Sequence, residues 1–328
     1  MNEKKATIFD IGRYRNADGP GIRTIIFFKG CPLRCKWCCN PFGLSRKRQL
    51  VVNPFKCTGC GSCAQVCSQN CNTVSAETHK VITDFSRCVL CGDCIVPCQV
   101  NARSLSGDEY TARELYQEAG KDRAFYRRGG GGVTLSGGEV LYQWEVASET
   151  LRLCRQDGMN CCIETSAFAP WEHLWAVARY CNTVFVDLKH IDSGKHQELT
   201  GVPNERILEN MAKLCEELPK LAGRVIVRLP IVPGYNDDNE SIAGAADFVS
   251  HLAHHPEINL LPYHDLGATK YEMIGKTYAL TDVESRKKKD PRLQELLTLC
   301  QTHAPDNRVS LGGEASDPKG YAAIPTTT

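Results

Sequence analysis

Short apolar runs alternate with longer amphipathic segments through most of this chain. The apolar runs have the length and composition of buried strands, and they span residues 24–29, 133–135, 161–163, 184–186, 225–227 and 259–261. The amphipathic segments predict helices at 111–127, 144–157, 171–181, 206–218 and 239–252. Alternating strands and helices indicate parallel βα units, so the predicted fold class is α/β. Residues 1–23 are predicted to be a lead-in with a turn at 18–21.

Polar residues follow the predicted strands at the point where each strand ends. They are Gly137, Gly138 and Glu139 after the second strand, Asp187 and Lys189 after the fourth, Arg228 after the fifth and His264 after the sixth. In an α/β barrel, the carboxyl ends of the strands form the rim on which active sites are built. Taken singly, the glycines could form a tight turn, Asp187 and Lys189 a surface ion pair, and His264 a core histidine. Because all of them fall at strand ends, the sequence favours one shared site.

Three cysteines, Cys31, Cys35 and Cys38, follow the first predicted strand. A 4Fe-4S cluster has four irons and usually takes four thiolates, so three cysteines leave one iron open. A zinc site is the alternative, but this spacing lacks the paired two-residue gaps of common zinc motifs. Cys39 follows Cys38 directly and is not expected to be a ligand, because adjacent residues in a tight loop rarely reach the same metal. The sequence therefore predicts a cluster with an open iron.

A second group of cysteines forms an internal repeat with a period of 31 residues. Its members are Cys57, Cys60, Cys63 and Cys67 in the first run, and Cys88, Cys91, Cys94 and Cys98 in the second. This spacing is that of bacterial ferredoxins, in which the fourth cysteine of each run ligates the other cluster. We therefore expect two 4Fe-4S clusters in an inserted ferredoxin-like domain at residues 53–105, with Cys67 and Cys98 as the crossing ligands.

Composition and charge narrow the classes of function. With 328 residues and a net charge of +1, the chain has neither the basic excess of a nucleic-acid-coating protein nor an apolar run long enough to span a membrane. Residues 1–6 lead into no hydrophobic signal segment, so we expect a cytoplasmic protein with reduced thiols. Nineteen cysteines then point to metal ligation. The cysteines outside the three motifs are expected to be buried small hydrophobes or bystanders: Cys39, Cys71, Cys154, Cys161, Cys162, Cys181, Cys215 and Cys300.

The spacing of Cys31, Cys35 and Cys38 resembles the signature of radical S-adenosylmethionine (SAM) enzymes, in which the open iron binds the methionine end of SAM. Residues 18–24, with the sequence Asp-Gly-Pro-Gly-Ile-Arg-Thr, resemble the opening motif of one branch, the activating enzymes of glycyl radical enzymes. The repeat of residues 57–98 is similar to that of members with two additional ferredoxin-type clusters. The resemblance extends over residues 18–280.

This resemblance implies a partial (β/α)6 barrel of the TIM type with the ferredoxin-like insert after its first unit. It divides the chain into the cluster loop within 1–52, the insert at 53–105, the rest of the barrel at 106–313 and a tail at 314–328 whose small polar residues predict disorder. The implied cofactors are SAM and three 4Fe-4S clusters. The implied cofactor-binding residues are Trp37, Cys38, Cys39, Gly137, Gly138, Glu139, Asp187, Leu188, Lys189, Arg228 and His264.

The implied reaction is reductive cleavage of SAM to methionine and a 5′-deoxyadenosyl radical, which takes a hydrogen atom from a glycine Cα of a partner enzyme. No side chain is expected to act as a general acid or base. The implied partners are a glycyl radical enzyme and a flavodoxin- or ferredoxin-type reductant, in an anaerobic or facultative organism, with no nucleic acid and no membrane. Two alternatives stay open: a radical SAM enzyme acting directly on a small molecule or peptide, and a ferredoxin-like electron carrier.

Overall fold

The computed structural model describes residues 3–312 of the chain. The strands are β1 (Lys5–Arg15), β2 (Arg23–Phe28), β3 (Gln49–Val52), β4 (Asn72–Val74), β5 (Val81–Thr83), β6 (Arg103–Ser106), β7 (Asp108–Thr111), β8 (Gly132–Gly137), β9 (Asn160–Thr165), β10 (Thr183–Asp187), β11 (Arg224–Ile231), β12 (Glu257–Pro262) and β13 (Val309–Leu311). The α-helices are α1 (Ser62–Gln65), α2 (Ala112–Gly120), α3 (Arg123–Gly129), α4 (Trp144–Gln156), α5 (Trp171–Ala178), α6 (Ser193–Thr200), α7 (Glu205–Glu217), α8 (Asn239–Ser250), α9 (Ala268–Glu272) and α10 (Pro291–His303).

A nine-stranded sheet forms the centre of the molecule. Its strand order is β13-β12-β11-β10-β9-β8-β2-β1-β7, and every neighbouring pair from β13 to β2 is parallel. The predicted strands are all present in this parallel part, which confirms the α/β class. Each observed strand is longer than the apolar run that predicted it, except β2, which is shifted by one residue. The run marks only the buried centre of a strand, because polar residues occupy its ends.

Several elements differ from the sequence prediction. The lead-in of residues 1–23 contains β1, which pairs antiparallel with β2 and β7 and so extends the sheet at one edge. The single helix predicted at 111–127 is two helices. The first begins at a capping box formed by Thr111 and Glu114, and the chain turns at Lys121 and Asp122 before α3. Helices α6 and α10 and strand β13 were not predicted, because polar residues interrupt their apolar pattern.

The helices pack on the outer face of the parallel strands and bury one large apolar core. Five of the cysteines outside the predicted motifs lie in it: Cys154, Cys161, Cys181, Cys215 and Cys300. Cys162 is also fully buried, in a small cluster with Phe185 and Ile226 on the other face of the sheet. These side chains act as small hydrophobes, as predicted. Within residues 3–312, no helix combines the length and apolar character needed to cross a lipid bilayer.

The segment between β2 and β7 carries two small sheets, one formed by β3 and β6 and the other by β4 and β5. Its backbone keeps the 31-residue period of the sequence. Left-handed conformations recur at matching positions: Gly59 with Leu90, Gly61 with Gly92, and Asn70 with Asn101. The two cysteine runs therefore share one local fold.

The cysteine-rich segment contacts residues 273–275, which follow α9. The Val52 amide donates a 2.8 Å hydrogen bond to the Met273 carbonyl. The Phe85 ring lies against Gly275, where a Cβ atom would come within 2.2 Å of the ring. Gly275 has a φ of +67°, so both its backbone conformation and this contact favour glycine.

The first parallel strand begins at a fully buried arginine. Arg23 donates hydrogen bonds to Thr134 Oγ1 and to the Val133 carbonyl on β8, to the Asn160 carbonyl and Oδ1 on β9, and to the Pro20 carbonyl. One side chain therefore joins the amino ends of β2, β8 and β9. It also holds the turn of residues 18–21, which the sequence predicts at this position.

We expect Arg23→Met to destabilise the protein by at least about 3 kcal/mol, because it leaves several buried carbonyl and hydroxyl acceptors without a donor. The measurement is the urea midpoint of the anaerobic protein, followed by circular dichroism. Arg15→Met is the matched control: Arg15 is exposed in the same segment, and the change should cost no more than about 0.5 kcal/mol. Equal midpoints for both variants would contradict the role of Arg23.

Candidate active site

A cavity of about 550 Å³ opens at the carboxyl edge of the parallel strands. The cysteine loop after β2 forms one wall, and residues at the ends of β8 to β12 form the others. The predicted cofactor-site residues in its lining are Trp37, Cys38, Cys39, Gly137, Gly138, Glu139, Asp187, Lys189, Arg228 and His264. Leu188 is the exception. Its side chain is 2 % exposed and lies in the main apolar core, because successive side chains on a strand face opposite sides.

The cysteine loop is held by backbone contacts to the end of α6. The Arg34 amide donates to the Thr200 carbonyl, and the Lys36 amide donates to the Leu199 carbonyl. Burial raises the pKa of the Cys31, Cys35 and Cys38 thiols, so a metal that binds them must displace their protons. All three thiols line the same cavity.

The arrangement of these thiols suits a cluster better than a single ion. Among residues 3–312, no three His, Cys, Asp or Glu side chains converge as the ligands of one metal ion would. A structural zinc site needs that convergence. The thiolates of a 4Fe-4S cluster bind different irons and stand farther apart. The three thiols on one cavity wall therefore fit the three protein ligands that the spacing predicts for a cluster with an open iron.

The glycine pair at the end of β8 lies directly against the cysteine loop. A Cβ on Gly137 would come within 2.4 Å of the Phe28 backbone, and one on Gly138 would come within 2.5 Å of the carbonyl oxygens of Gly30 and Gly43. The Gly138 amide donates to the Phe28 carbonyl, and the Glu139 amide donates to the Gly30 carbonyl. Glycine is required here for close approach of two backbones, which places the end of β8 beside the thiols.

Glu139 is buried, and its carboxylate accepts hydrogen bonds only from donors within the protein. Oε1 accepts hydrogen bonds from the Leu141 amide and Thr165 Oγ1, and Oε2 accepts from the amide and hydroxyl of Ser166. These four donors occupy the acceptor sites of both oxygens. Glu139 therefore joins the carboxyl ends of β8 and β9, and this contact sets the shape of the cavity wall.

The charged residues at the next strand ends form one buried network. Arg228 donates to Asp187 Oδ1 at 2.8 Å and to Glu164 Oε1 at 2.6 Å, and Lys189 donates to Asp187 Oδ2 at 2.8 Å. Burial alone would raise the pKa of Asp187, but the Arg228 and Lys189 cations outweigh it and lower the pKa to about 2. Asp187 and Lys189 do form an ion pair, but it faces the cavity and is not on the outer surface.

Asp18 and Arg15 also line the cavity. Burial, helped by the nearby Glu164 carboxylate, raises the pKa of Asp18 to about 6, although Arg228, Arg15 and Arg23 oppose the shift. The protonated and ionised forms of Asp18 are therefore both accessible near neutral pH. Asp18 belongs to the 18–24 motif but was not predicted as a site residue, and neither was Glu164, although it follows a predicted strand.

Lys270 is the site residue for which the sequence carried no signal. It follows β12 by several residues, in a segment without strand or helix periodicity. Its ammonium group donates to the Cys39 carbonyl at 3.0 Å and to Asn40 Oδ1 at 3.2 Å, and it lines the cavity near His264. His264 is exposed and Lys270 is half-buried, and both line the cavity. Tyr271, the next residue, faces the Cys38 thiol.

Two small cavities lie in the cysteine-rich segment, and each is lined by cysteines from both runs. Cys67, Cys88, Cys91 and Cys94 line the first, and Cys57, Cys60, Cys63 and Cys98 line the second. The fourth cysteine of each run thus faces the other run. The Cys71 amide donates to Cys67 Sγ, and 31 residues later the Ala102 amide donates to Cys98 Sγ. The donor sets match the crossed arrangement that the spacing predicts.

Known proteins resemble this chain along most of its length. The model of the Radical SAM superfamily matches residues 92–246. The choline trimethylamine-lyase activating enzyme of Oleidesulfovibrio alaskensis is 42% identical over 284 residues, which cover 85% of this chain and 90% of that protein. The indoleacetate decarboxylase activating enzyme of Tractidigestivibacter scatoligenes is 36% identical, with 91% and 95% covered. The trans-4-hydroxy-L-proline dehydratase activating enzyme of Clostridioides difficile is 37% identical, with 90% and 95% covered.

These relatives share one kind of role, and this chain covers nearly all of each of them. The three thiols, the glycine pair and the charged strand ends lie around one cavity, as the sequence motifs predict. The chain belongs to the activating enzymes of glycyl radical enzymes, within the radical SAM superfamily.

Proposed function

We propose that this protein activates a glycyl radical enzyme by taking a hydrogen atom from the Cα of one glycine in that partner. A reduced cluster and SAM, bound together, supply the chemistry: one electron enters the sulfonium, the carbon–sulfur bond breaks, and methionine and a 5′-deoxyadenosyl radical form. Hydrogen transfer then leaves 5′-deoxyadenosine and a glycyl radical. The single observation that carries the proposal is one cavity that holds three thiols at one wall and fixed charges at the others.

Cys31, Cys35 and Cys38 are the proposed ligands of the catalytic cluster. The backbone of Gly137 and Gly138 lies close enough to the cysteine loop to receive the methionine end of SAM beside the open iron. Glu139 supports this wall through its contacts with Thr165 and Ser166, and no acid or base is required. The protein contributes binding, orientation and exclusion of water, because the cofactors carry the reaction.

The remaining proposed cofactor residues form the charged wall and the rim. Lys189 and Arg228 are cations fixed by Asp187, and they suit the carboxylate of SAM. Trp37, within the cysteine loop, packs in a buried apolar cluster that includes Tyr263 and Tyr271. His264 and the Cys39 backbone complete the rim. We do not assign Leu188 a direct contact, since its side chain lies in the core.

The cysteine-rich segment is proposed to hold two further 4Fe-4S clusters, one in each small cavity. Support comes from the four thiols of the repeat that line each cavity, joined by Cys71 in the first, and from the matching amide-to-sulfur hydrogen bonds of Cys71 and Ala102. These groups would accept electrons from a flavodoxin- or ferredoxin-type reductant. A simple electron carrier would not need the cavity with the open-iron motif, which favours the activating role.

The central test mixes the anaerobically reduced protein with SAM and a glycyl radical enzyme. We expect 5′-deoxyadenosine and a radical signal, seen by electron paramagnetic resonance, on the second protein. Cys35→Ala should abolish both, because it removes a ligand of the catalytic cluster. Cys39→Ser is the matched control and should keep them, since Cys39 is not a predicted ligand.

Another result would be that the protein cleaves SAM while no candidate glycyl radical enzyme acquires the radical signal. That result would favour a radical SAM enzyme that acts directly on a small molecule or peptide. Unchanged 5′-deoxyadenosine formation by Cys35→Ala would contradict the assignment of the cluster. Iron content and the visible spectrum, measured on the same samples, show whether the other clusters remain.

The crossed ligands of the cysteine-rich segment can be tested by iron content. The intact protein should hold about twelve irons, four for each centre. With Cys57, Cys60 and Cys63 changed to Ala, about eight should remain. In that background, adding Cys67→Ala should release the remaining cluster of this segment, whereas adding Cys98→Ala should not. The opposite result would mean that each run holds its own cluster.

The charged wall can be tested by SAM affinity. Lys189→Met should weaken SAM binding about ten- to a hundredfold without loss of iron, because one charged hydrogen bond contributes about 1.5–3 kcal/mol. Binding is measured by anaerobic calorimetry. Lys36→Met is the matched control, because Lys36 pairs with Glu198 outside the cavity and should not affect binding. If Lys189→Met bound SAM with wild-type affinity, Lys189 would have only a structural role.

A further inference from the structure

The two halves of the cysteine repeat differ at one buried position. Asn72 and Arg103 are 31 residues apart, so they occupy equivalent places after Cys67 and Cys98. Their exposed fractions are 6% and 4%. Asn72 lines the cavity of Cys88 and Cys94, and Arg103 lines the cavity of Cys57 and Cys63. The repeat thus places a neutral amide in one half and a cation in the other.

These two side chains meet in a hydrogen-bonded bridge between the cavities. Arg103 Nη1 lies 3.6 Å from Cys94 Sγ, and Arg103 Nη2 donates to Thr83 Oγ1 at 2.7 Å. The Thr83 hydroxyl donates to Asn72 Oδ1 at 2.9 Å, and Asn72 Nδ2 donates to the Cys63 carbonyl at 3.1 Å. Asn72 lines the cavity of the second run and contacts Cys63, the third cysteine of the first run. Arg103 lines the cavity of the first run and contacts Cys94, the third cysteine of the second run. Only Arg103 contacts a sulfur atom.

The positive charge of Arg103 needs a negative partner. Its hydrogen-bond acceptors are a sulfur atom and a hydroxyl, and within the described part of the chain no carboxylate forms an ion pair with it. Burial of an unpaired charge is costly, so buried charges are paired in folded proteins. Four thiolates around each neighbouring cavity would supply the missing negative charge once iron is bound.

We propose that Arg103 is the counter-ion of the cluster ligated by Cys94 and raises the reduction potential of that cluster. The potential of an iron–sulfur cluster depends on hydrogen bonds to its sulfurs and on nearby charge, and a cation favours the reduced, more negative state. Asn72 supplies no charge to the equivalent cluster. This inference rests on the two clusters proposed above.

The test compares three variants of the full protein with all clusters reconstituted. Arg103→Gln removes the charge, Arg103→Lys keeps it, and Asn72→Ala breaks the bridge at its neutral end. Each is titrated with dithionite at measured potentials and followed by electron paramagnetic resonance without SAM. In Arg103→Gln, one cluster should be about tenfold less reduced at a fixed potential, a shift of about 59 mV for one electron. Arg103→Lys and Asn72→Ala should stay close to the wild type.

The outcomes separate this inference from the function on which it rests. Binding of only about four irons by the wild-type protein would refute the two additional clusters themselves. A full iron content with unmoved potentials in Arg103→Gln would refute the role of Arg103 alone. Loss of a cluster in Arg103→Gln, but not in Arg103→Lys, would support the counter-ion role, because the charge is retained in the second. Loss in both would overturn it.

Discussion

The walls of the central cavity depend on the pairing of Arg228 with two carboxylates. Parallel strands carry Glu164, Asp187 and Arg228 to the same edge of the sheet, and side chains of one sign there would repel each other in a poorly solvated space. Arg228 contacts both carboxylates, and Lys189 completes the neutralisation of Asp187. The cavity wall can therefore be polar although its charged side chains are largely removed from solvent. The same arrangement fixes two cations where an anionic ligand can reach them.

Much of this architecture could be predicted because each signal was local. The alternation of strands and helices predicted the parallel sheet. The motifs that contain Cys31 and Asp187 predicted residues on two walls of the cavity. A residue that directly follows an apolar run must lie at the edge of the sheet. The Leu188 side chain, which belongs to the same motif as Asp187, packs in the apolar core and does not line the cavity.

The remaining site residues could not be found in this way, because long-range packing brings them to the cavity. Lys270 reaches Cys39 from the segment that follows β12, and Asp18 reaches the cavity from a turn that precedes β2. Strand β1 was missed for a related reason. Its apolar residues alternate with polar ones along the strand, so it has no apolar run to mark it. The spacing of residues along the sequence also could not show that Glu139 accepts hydrogen bonds from Thr165 and Ser166.

The contact between Lys270 and Cys39 has a consequence for the order in which the molecule can be completed. The two residues are 231 positions apart, so this support for the cysteine loop cannot exist until most of the chain has left the ribosome. The cysteines of both small cavities, by contrast, all lie between Cys57 and Cys98. Their pockets can close early in synthesis, whereas the pocket at Cys31, Cys35 and Cys38 is finished late. A nascent chain arrested before α9 would therefore have the cysteines of both small cavities already synthesised, while the pocket at Cys31, Cys35 and Cys38 would still lack the support of Lys270.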